Sequence, residues 1–247
     1  MATYTLLQLV QSAMNSMDSD YVTDIDENEE SKQIKLICKE VYESLINREE
    51  WEFLNRGVVL TSPASASTPT EFTVPTTVRR LSYVAYNVSE TSDDQYRELA
   101  YVPFDEFLRL NNKESGANTV LVTYQTGLKF TVRNDRPPMY YTSIDDSKII
   151  CDSYKATVDT YLTVAKLSVS AYTIPTWTES NNFTPDLPAH MFPIYRDMIK
   201  QACHEYFKQA PSAQDKERIL NQITQLRRQS GRMTGDKQTY YRNTYGR

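Results

Sequence analysis

Apolar residues along the chain recur with two different periods, and the changes of period mark its organisation. Leu6, Leu9, Val10, Ala13 and Met17 return at helical spacing and predict an amphipathic helix from Thr5 to Met17. Thr5, with Gln8 three residues later, has the spacing of a capping box. A polar link, Asp18–Asp26, follows. Ile34, Ile37, Cys38, Val41, Tyr42 and Leu45 then predict a second helix. Asp26 and Glu29 mark its start, since acids suit the positive end of a helix dipole. The pattern fades at Asn47–Glu50, and Trp51, Phe53 and Leu54 read as an anchor where the chain leaves the helices.

From Gly57 the period becomes two. Val58-Val59-Leu60 leads into a loop of small residues and prolines, Thr61–Thr70. Strands are predicted over Glu71–Val74, Val78–Tyr86, Leu99–Val102, Val120–Tyr124, Leu128–Val132, Met139–Thr142, Lys148–Asp152 and Thr160–Tyr172. Thr126-Gly127 marks a hairpin turn, and Pro103 introduces a short helix, Phe104–Leu110. Short strands at this spacing suit an antiparallel sandwich or barrel.

Helical spacing resumes within FTPDLPAHMFPIYRDMIKQACHEYFKQ, Phe183–Gln209. Thr184 can cap this helix, with Pro185 at its first position. Leu187, Met191, Ile194, Met198, Ala202 and Phe207 form its stripe. Pro193 would kink it, or mark where its regular part begins. After Pro211, Ser212 and Asp215 can cap a fourth helix carrying Ile219, Leu220, Ile223 and Leu226, which Gly231 ends. No periodic pattern continues beyond.

Four helices with one apolar stripe each cannot hide those stripes singly. The economical solution is an α+β protein: a four-helix bundle formed by the N- and C-terminal helices, with an inserted antiparallel β-sandwich or barrel domain and an extended C-terminal arm. The boundaries are 1–56 and 181–230 for the bundle, 57–180 for the β-domain and 231–247 for the arm. Two helical hairpins, each packed on the sheet, are the alternative.

The chain of 247 residues is 40% hydrophobic and 24% charged, ordinary values for a globular protein. Six glycines argue against glycine-rich phosphate loops. Eighteen tyrosines suit either half-buried strand positions or protein interfaces. The net charge of −5 gives no general nucleic-acid footprint. Cys38, Cys151 and Cys203 lie far apart and read as buried small hydrophobes of a reducing compartment. No apolar run reaches membrane-spanning length and no secretory leader is recognisable, so synthesis in the cytosol is expected and no membrane partner. The glycosylation patterns at Asn87 and Asn182 are therefore read as chance matches.

Candidate chemistry is sparse. His190 and His204, fourteen positions apart, would lie ~21 Å apart on one helix and could not share a metal. Asp24, Asp26 and Asn28 have the first spacings of a calcium loop, but Glu29 replaces the turn glycine and Lys35 the final glutamate, so helix capping explains them better. Asp145-Asp146 reads as a turn, and nothing singles out a pair of carboxylates for glycoside hydrolysis. No catalytic, cofactor-binding or metal-binding residue is assigned, and no enzyme activity is expected. The arm carries Arg232, Lys237, Tyr240, Tyr241, Arg242, Tyr245 and Arg247 against one acid, Asp236. Such a segment cannot form a core alone and suits ordering on a partner, with arginines pairing acids and tyrosines filling crevices.

Four stretches together resemble the head-to-tail adaptors of short-tailed bacteriophages, the tail tubular protein A family. They are TLLQLVQSAMNSMDSDYVTDID (Thr5–Asp26), YRELAYVPFDEFLRL (Tyr96–Leu110), RNDRPPMYYTSIDDSKIICDSY (Arg133–Tyr154) and the Phe183–Gln209 segment. The resemblance lies in their order and spacing and contains no catalytic signature. It implies a virion protein of the neck: a ring, usually of twelve copies, docked beneath the portal protein, extending the DNA channel and offering its lower face to the tail nozzle protein. It also implies a helical bundle plus a β-domain, and a C-terminal extension reaching along the portal, where Gly231–Arg247 would act as the portal-binding arm. Double-stranded DNA would pass without sequence recognition. Acids facing the lumen would help it slide, and Asp18, Asp20, Asp24, Asp26, Glu27, Glu29 and Glu30 are candidates. Two other classes stay open: a tail-associated carbohydrate-active or receptor-binding protein, and a DNA-binding completion protein whose basic arm contacts phosphates.

Overall fold

The computed structural model describes residues 3–90, 94–113, 116–123, 127–207 and 213–230, with backbone alone at 213–216 and 227–230. The protein is mixed α+β. The chain begins with α1 (Leu6–Ser16) and α2 (Glu29–Arg48), then enters β1 (Asn55–Gly57), β2 (Glu71–Thr73), β3 (Val78–Asn87), β4 (Tyr96–Glu98) and β5 (Ala100–Tyr101). Helix α3 (Phe104–Asn111) precedes β6 (Thr119–Thr123), β7 (Lys129–Arg133), β8 (Tyr140–Ser143), β9 (Lys148–Cys151) and β10 (Leu167–Thr173). Helices α4 (Phe192–Tyr206) and α5 (Ala213–Ser230) follow. Contacts divide the chain into two compact units, a helical one of Met1–Phe53 with Pro175–Arg247 and a β unit of Leu54–Ile174.

In the helical unit, Thr5 and Gln8 form the expected capping box of α1. The next orphan donors of that helix are met by chain from far along the sequence. Leu6 N donates to Phe183 O at 2.7 Å and Leu7 N to Asn181 O at 3.3 Å. The Asn181 side chain also accepts from Ile25 N at 3.0 Å and donates to Asp24 Oδ2 at 2.7 Å. One asparagine thus ties the start of α1, the α1–α2 link and the returning chain together. Helix α2 is capped by Asn28, paired with Ser31, and not by Asp26, whose carboxylate is bonded to Lys35 instead.

Helix α4 starts at Phe192, eight residues after Thr184. Prolines 185, 188 and 193 set that limit. A helix running from Thr184 would hold Pro188 and Pro193 in its interior, where each deletes a donor and clashes with the preceding turn. Residues 185–191 make short turns instead, with Leu187 N bonding Pro185 O and Met191 N bonding Pro188 O. Pro193 falls in the first turn, where a missing N–H costs nothing. Helix α4 packs on α1, α2 and α5, and α1 also packs on α2. Its deepest face is Phe192, Tyr195, Ile199 and Cys203, whereas Met198 and Ala202 of the expected stripe are only half-buried. A helix with three helical neighbours needs more than one apolar face, and a single stripe drawn through its sequence mixes them. Tyr195 Oη donates to Cys38 O at 2.7 Å, and the Tyr195 ring meets Tyr42 edge-on at 5.9 Å.

The β unit contains sheets of strand order β1-β10-β3-β4 and β2-β9-β8-β5, plus the β6-β7 hairpin. All pairs are antiparallel except β5–β8. Of the four chain segments that connect the two four-stranded sheets, two run from the first sheet to the second. The first leaves β1, keeps a bond from Val58 N to Val169 O, buries Leu60, and bridges Thr61 to Thr73 of β2. The apolar run Val58-Val59-Leu60, which follows β1 and leads into the loop, forms the crossing, with Val59 74% exposed and Leu60 buried. The second crossing is at Leu99, between β4 and β5, where Leu99 N donates to Val84 O at 2.8 Å and the side chain enters the core. One apolar cluster takes Phe72, Val84, Leu99, Phe107, Phe130 and Ile149 from both sheets, the hairpin and α3. Phe107 meets Phe130 and Tyr140 edge-on, at 5.9 and 5.8 Å. Buried Asp152 shapes the Pro137–Tyr140 turn, accepting from Met139 N at 2.8 Å, Tyr140 N at 3.1 Å and Arg136 at 3.1 Å.

Replacing Asn181 should therefore act well beyond its own loop. Asn181→Ala removes two side-chain bonds and leaves the Ile25 N–H unmatched, a loss of about 1–3 kcal/mol. Urea unfolding followed by circular dichroism should show it, while exposed Asn182→Ala stays within about 0.5 kcal/mol. Equal midpoints for the two variants would refute the clamp.

Candidate functional site

The acidic segment between α1 and α2 is the first place where candidate residues meet. Glu27 Oε2 accepts from Thr23 N at 2.6 Å, Thr23 Oγ1 at 3.0 Å and Asp24 N at 3.2 Å. Asp24 Oδ1 accepts from Asp26 N at 2.8 Å. Lys35, 9% exposed, places its ammonium 2.6 Å from Asp26 and 3.1 Å from Glu179. Glu29 pairs with Lys32 at 2.8 Å, and Glu30 accepts from Ser19 Oγ at 2.7 Å. Five of the seven candidate channel acids thus spend charge on local bonds. Asp18, at φ 56°, and Asp20 are exposed.

The electrostatics agree with this geometry. The Asp26 N–H, then the Asn181 amide, holds the Asp24 carboxyl below the usual range. The Thr23 N–H and hydroxyl do the same for Glu27. The Asp26 carboxylate raises Lys35 against the opposing effect of its burial. Lys35 occupies the place where a calcium loop ends in a carboxylate, and it supplies a cation to Asp26. Among the described residues, no three His, Cys, Asp or Glu side chains are grouped to hold a metal ion.

The other candidates are dispersed. His190 lies exposed before α4, and half-buried His204 lies in its last turn. Cys38, Cys151 and Cys203 are free and buried. Burial pushes all three thiols up, Cys203 to about 12, which suppresses the nucleophilic thiolate. Arg232, Lys237, Tyr240, Tyr241, Arg242, Tyr245 and Arg247 lie outside the described residues. No helix among those residues is long and apolar enough to cross a membrane.

Sequence reasoning missed a groove between α2, α4 and α5. It encloses about 450 Å³ and is lined by Val41, Met198, Ala202, Ile219 and Ile223, with Glu40 and Glu205 also along it. Leu220, in the same lining, is 53% exposed. The signal was present: Val41, Met198 and Ala202 fit the helical period but fall one position off the deepest face of their helices. The pattern alone does not say whether such an edge position meets a neighbouring helix or solvent.

No protein-family model matches the chain, and no curated protein matches it.

The acidic segment should respond to pH. Asp24 and Glu27 have depressed values in the folded protein, so their contribution is complete above the unfolded carboxyl pKa of about 4 and is lost as pH falls through the folded values. Amide exchange by NMR should show the Thr23 and Asp26 N–H groups losing protection in that window, before the Tyr195 amide at the helical core does. Simultaneous loss would show that the segment has no titration of its own.

Proposed function

We propose that the protein is a structural adaptor of a short-tailed bacteriophage neck. In this reading it assembles as a ring, of about twelve copies by the resemblance, through a heterologous interface that closes by rotation. The ring docks under the portal protein, receives the tail nozzle protein and continues the channel for double-stranded DNA. The helical unit acts as a four-helix bundle and the β unit as a closed, barrel-like insertion. Residues 231–247 supply the portal-binding arm.

The order and spacing of the four resembling stretches carry the proposal. Each falls on a part that holds its unit together: α1 with the acidic link, the Leu99 crossing with α3, the Asp152-centred β8–β9 region, and α4 with the turns before it. A match at such positions is what a shared scaffold produces. The groove along α2, α4 and α5 adds support, because exposed apolar surface is more typical of assembly proteins than of isolated domains. Within the acidic link, Asp18 and Asp20 are the best candidates to face DNA, since the other five acids are engaged locally.

The test is to mix purified protein with purified portal rings and examine the product by electron microscopy and native mass. A ring of added density on one portal face is expected. Deleting 231–247 should leave the circular dichroism spectrum and unfolding midpoint unchanged and weaken docking at least about tenfold, or 1.4 kcal/mol. Failure of the full chain to join the portal would overturn the adaptor reading. Docking of the shortened chain with full affinity would remove the arm from it.

A further inference from the structure

The Thr61–Thr70 loop has no part in the adaptor reading, yet it walls a polar cleft of about 480 Å³ in the β unit. Thr61, Ser62, Ser65 and Thr68 of the loop line it, opposite Thr73, Glu71 and Lys148 of the paired strands β2 and β9. Glu71 is only 7% exposed, and its Oε1 lies 2.6 Å from Lys148 Nζ. Register places Thr73 directly across from Lys148, so these groups sit on a rigid strand pair. The loop is held by bonds within it and to its surroundings: Ala64 N donates to Ser62 Oγ, Ser62 Oγ to Leu162 O, and Glu71 N to Thr68 O. The hydroxyls of Thr68 and Thr73 bond to no other described residue.

The chemistry of the lining selects among ligands. Glu71 and Lys148 neutralise each other, so the cleft offers neither the surplus positive charge an anion needs nor an uncompensated carboxylate for a cation. Its lining residues include no aromatic and no large aliphatic side chain, which disfavours an apolar guest. Hydroxyls that both donate and accept, beside a carboxylate and an ammonium, match a molecule carrying many neutral hydroxyl groups. The volume is in the range of small-ligand sites. We propose that this cleft binds a neutral saccharide of one or two rings, through Glu71, Lys148, Thr68 and Thr73. Binding without cleavage is meant, and it stands independently of ring assembly.

The experiment uses the full chain with maltose, lactose and N,N′-diacetylchitobiose as probes and inorganic phosphate as competitor. Saturation-transfer NMR and calorimetry should detect at least one disaccharide with a Kd below about 10 mM, undisturbed by phosphate. Thr68→Val is a near-isosteric change at a half-buried loop position and should weaken binding severalfold. The paired change Glu71→Gln with Lys148→Met, which leaves no buried charge unmatched, should abolish it. Absence of any disaccharide signal, displacement by phosphate, or equal affinity in Thr68→Val would overturn the proposal.

Discussion

A helix that starts near the beginning of the chain has donors with no partner of their own, and burying them unmatched is costly. Thr5 supplies a local answer for part of α1. The rest comes from Asn181 and Phe183, which accept from Leu7 and Leu6. Because the acceptors come after the whole β unit, the helical unit cannot be completed until that unit has been traversed. The entropic cost of such an insertion grows only logarithmically with its length, so a large insert is tolerated if its ends are pinned. Asn181 does the pinning with its side chain as well, through Ile25 and Asp24. The neighbouring rings extend the attachment: Trp177 meets Phe183 at 4.9 Å and Tyr42 at 5.4 Å.

The β unit solves a related problem, that of exposed strand edges. Its two four-stranded sheets would each present two edges. The Thr61–Thr73 bridge and the Leu99 crossing carry hydrogen bonding from sheet to sheet at the ends of the strand order. The turn residues are placed accordingly. Gly127, at φ 80°, serves the β6–β7 hairpin, where a side chain would be strained. Asp152 gathers two backbone donors and Arg136, so a buried carboxylate replaces what a longer sheet ladder would have provided.

How far the sequence discloses this depends on how local each determinant is. The capping box of α1, the helix after Pro103 and the hairpin around Gly127 are set by residues within a few positions of each other, and each stands where the pattern puts it. The start of α4 was harder, because three prolines compete and only the one in the first turn is compatible with a regular helix. The cap of α2 was misread because Asp26 is drawn away by Lys35, nine residues on. The sheet crossings were not legible at all. Val58–Leu60 looks like a strand by composition, and what makes it a crossing is the distant Thr73. The eighteen tyrosines divide in the same way. Tyr42 and Tyr195 are core residues, whereas Tyr21, Tyr101 and Tyr206 are more than half exposed.

The candidate sites follow the same rule. A catalytic centre concentrates groups whose ionisation is displaced toward reactivity. Among the described residues, three thiols and two carboxylates of the helical and β units are displaced by structural causes. The three thiols are raised by burial, and Asp24 and Glu27 are lowered by backbone and side-chain donors to Asp24 Oδ1 and Oδ2 and to Glu27 Oε2. Such shifts stabilise a loop and a core. The surface features of another kind, an apolar groove along three helices and a neutral polar cleft beside the Thr61–Thr70 loop, are assembled from segments separated in sequence. Both are concave surfaces whose shape depends on how distant elements pack. Concave surfaces of this kind are what the proposed binding and assembly role would use.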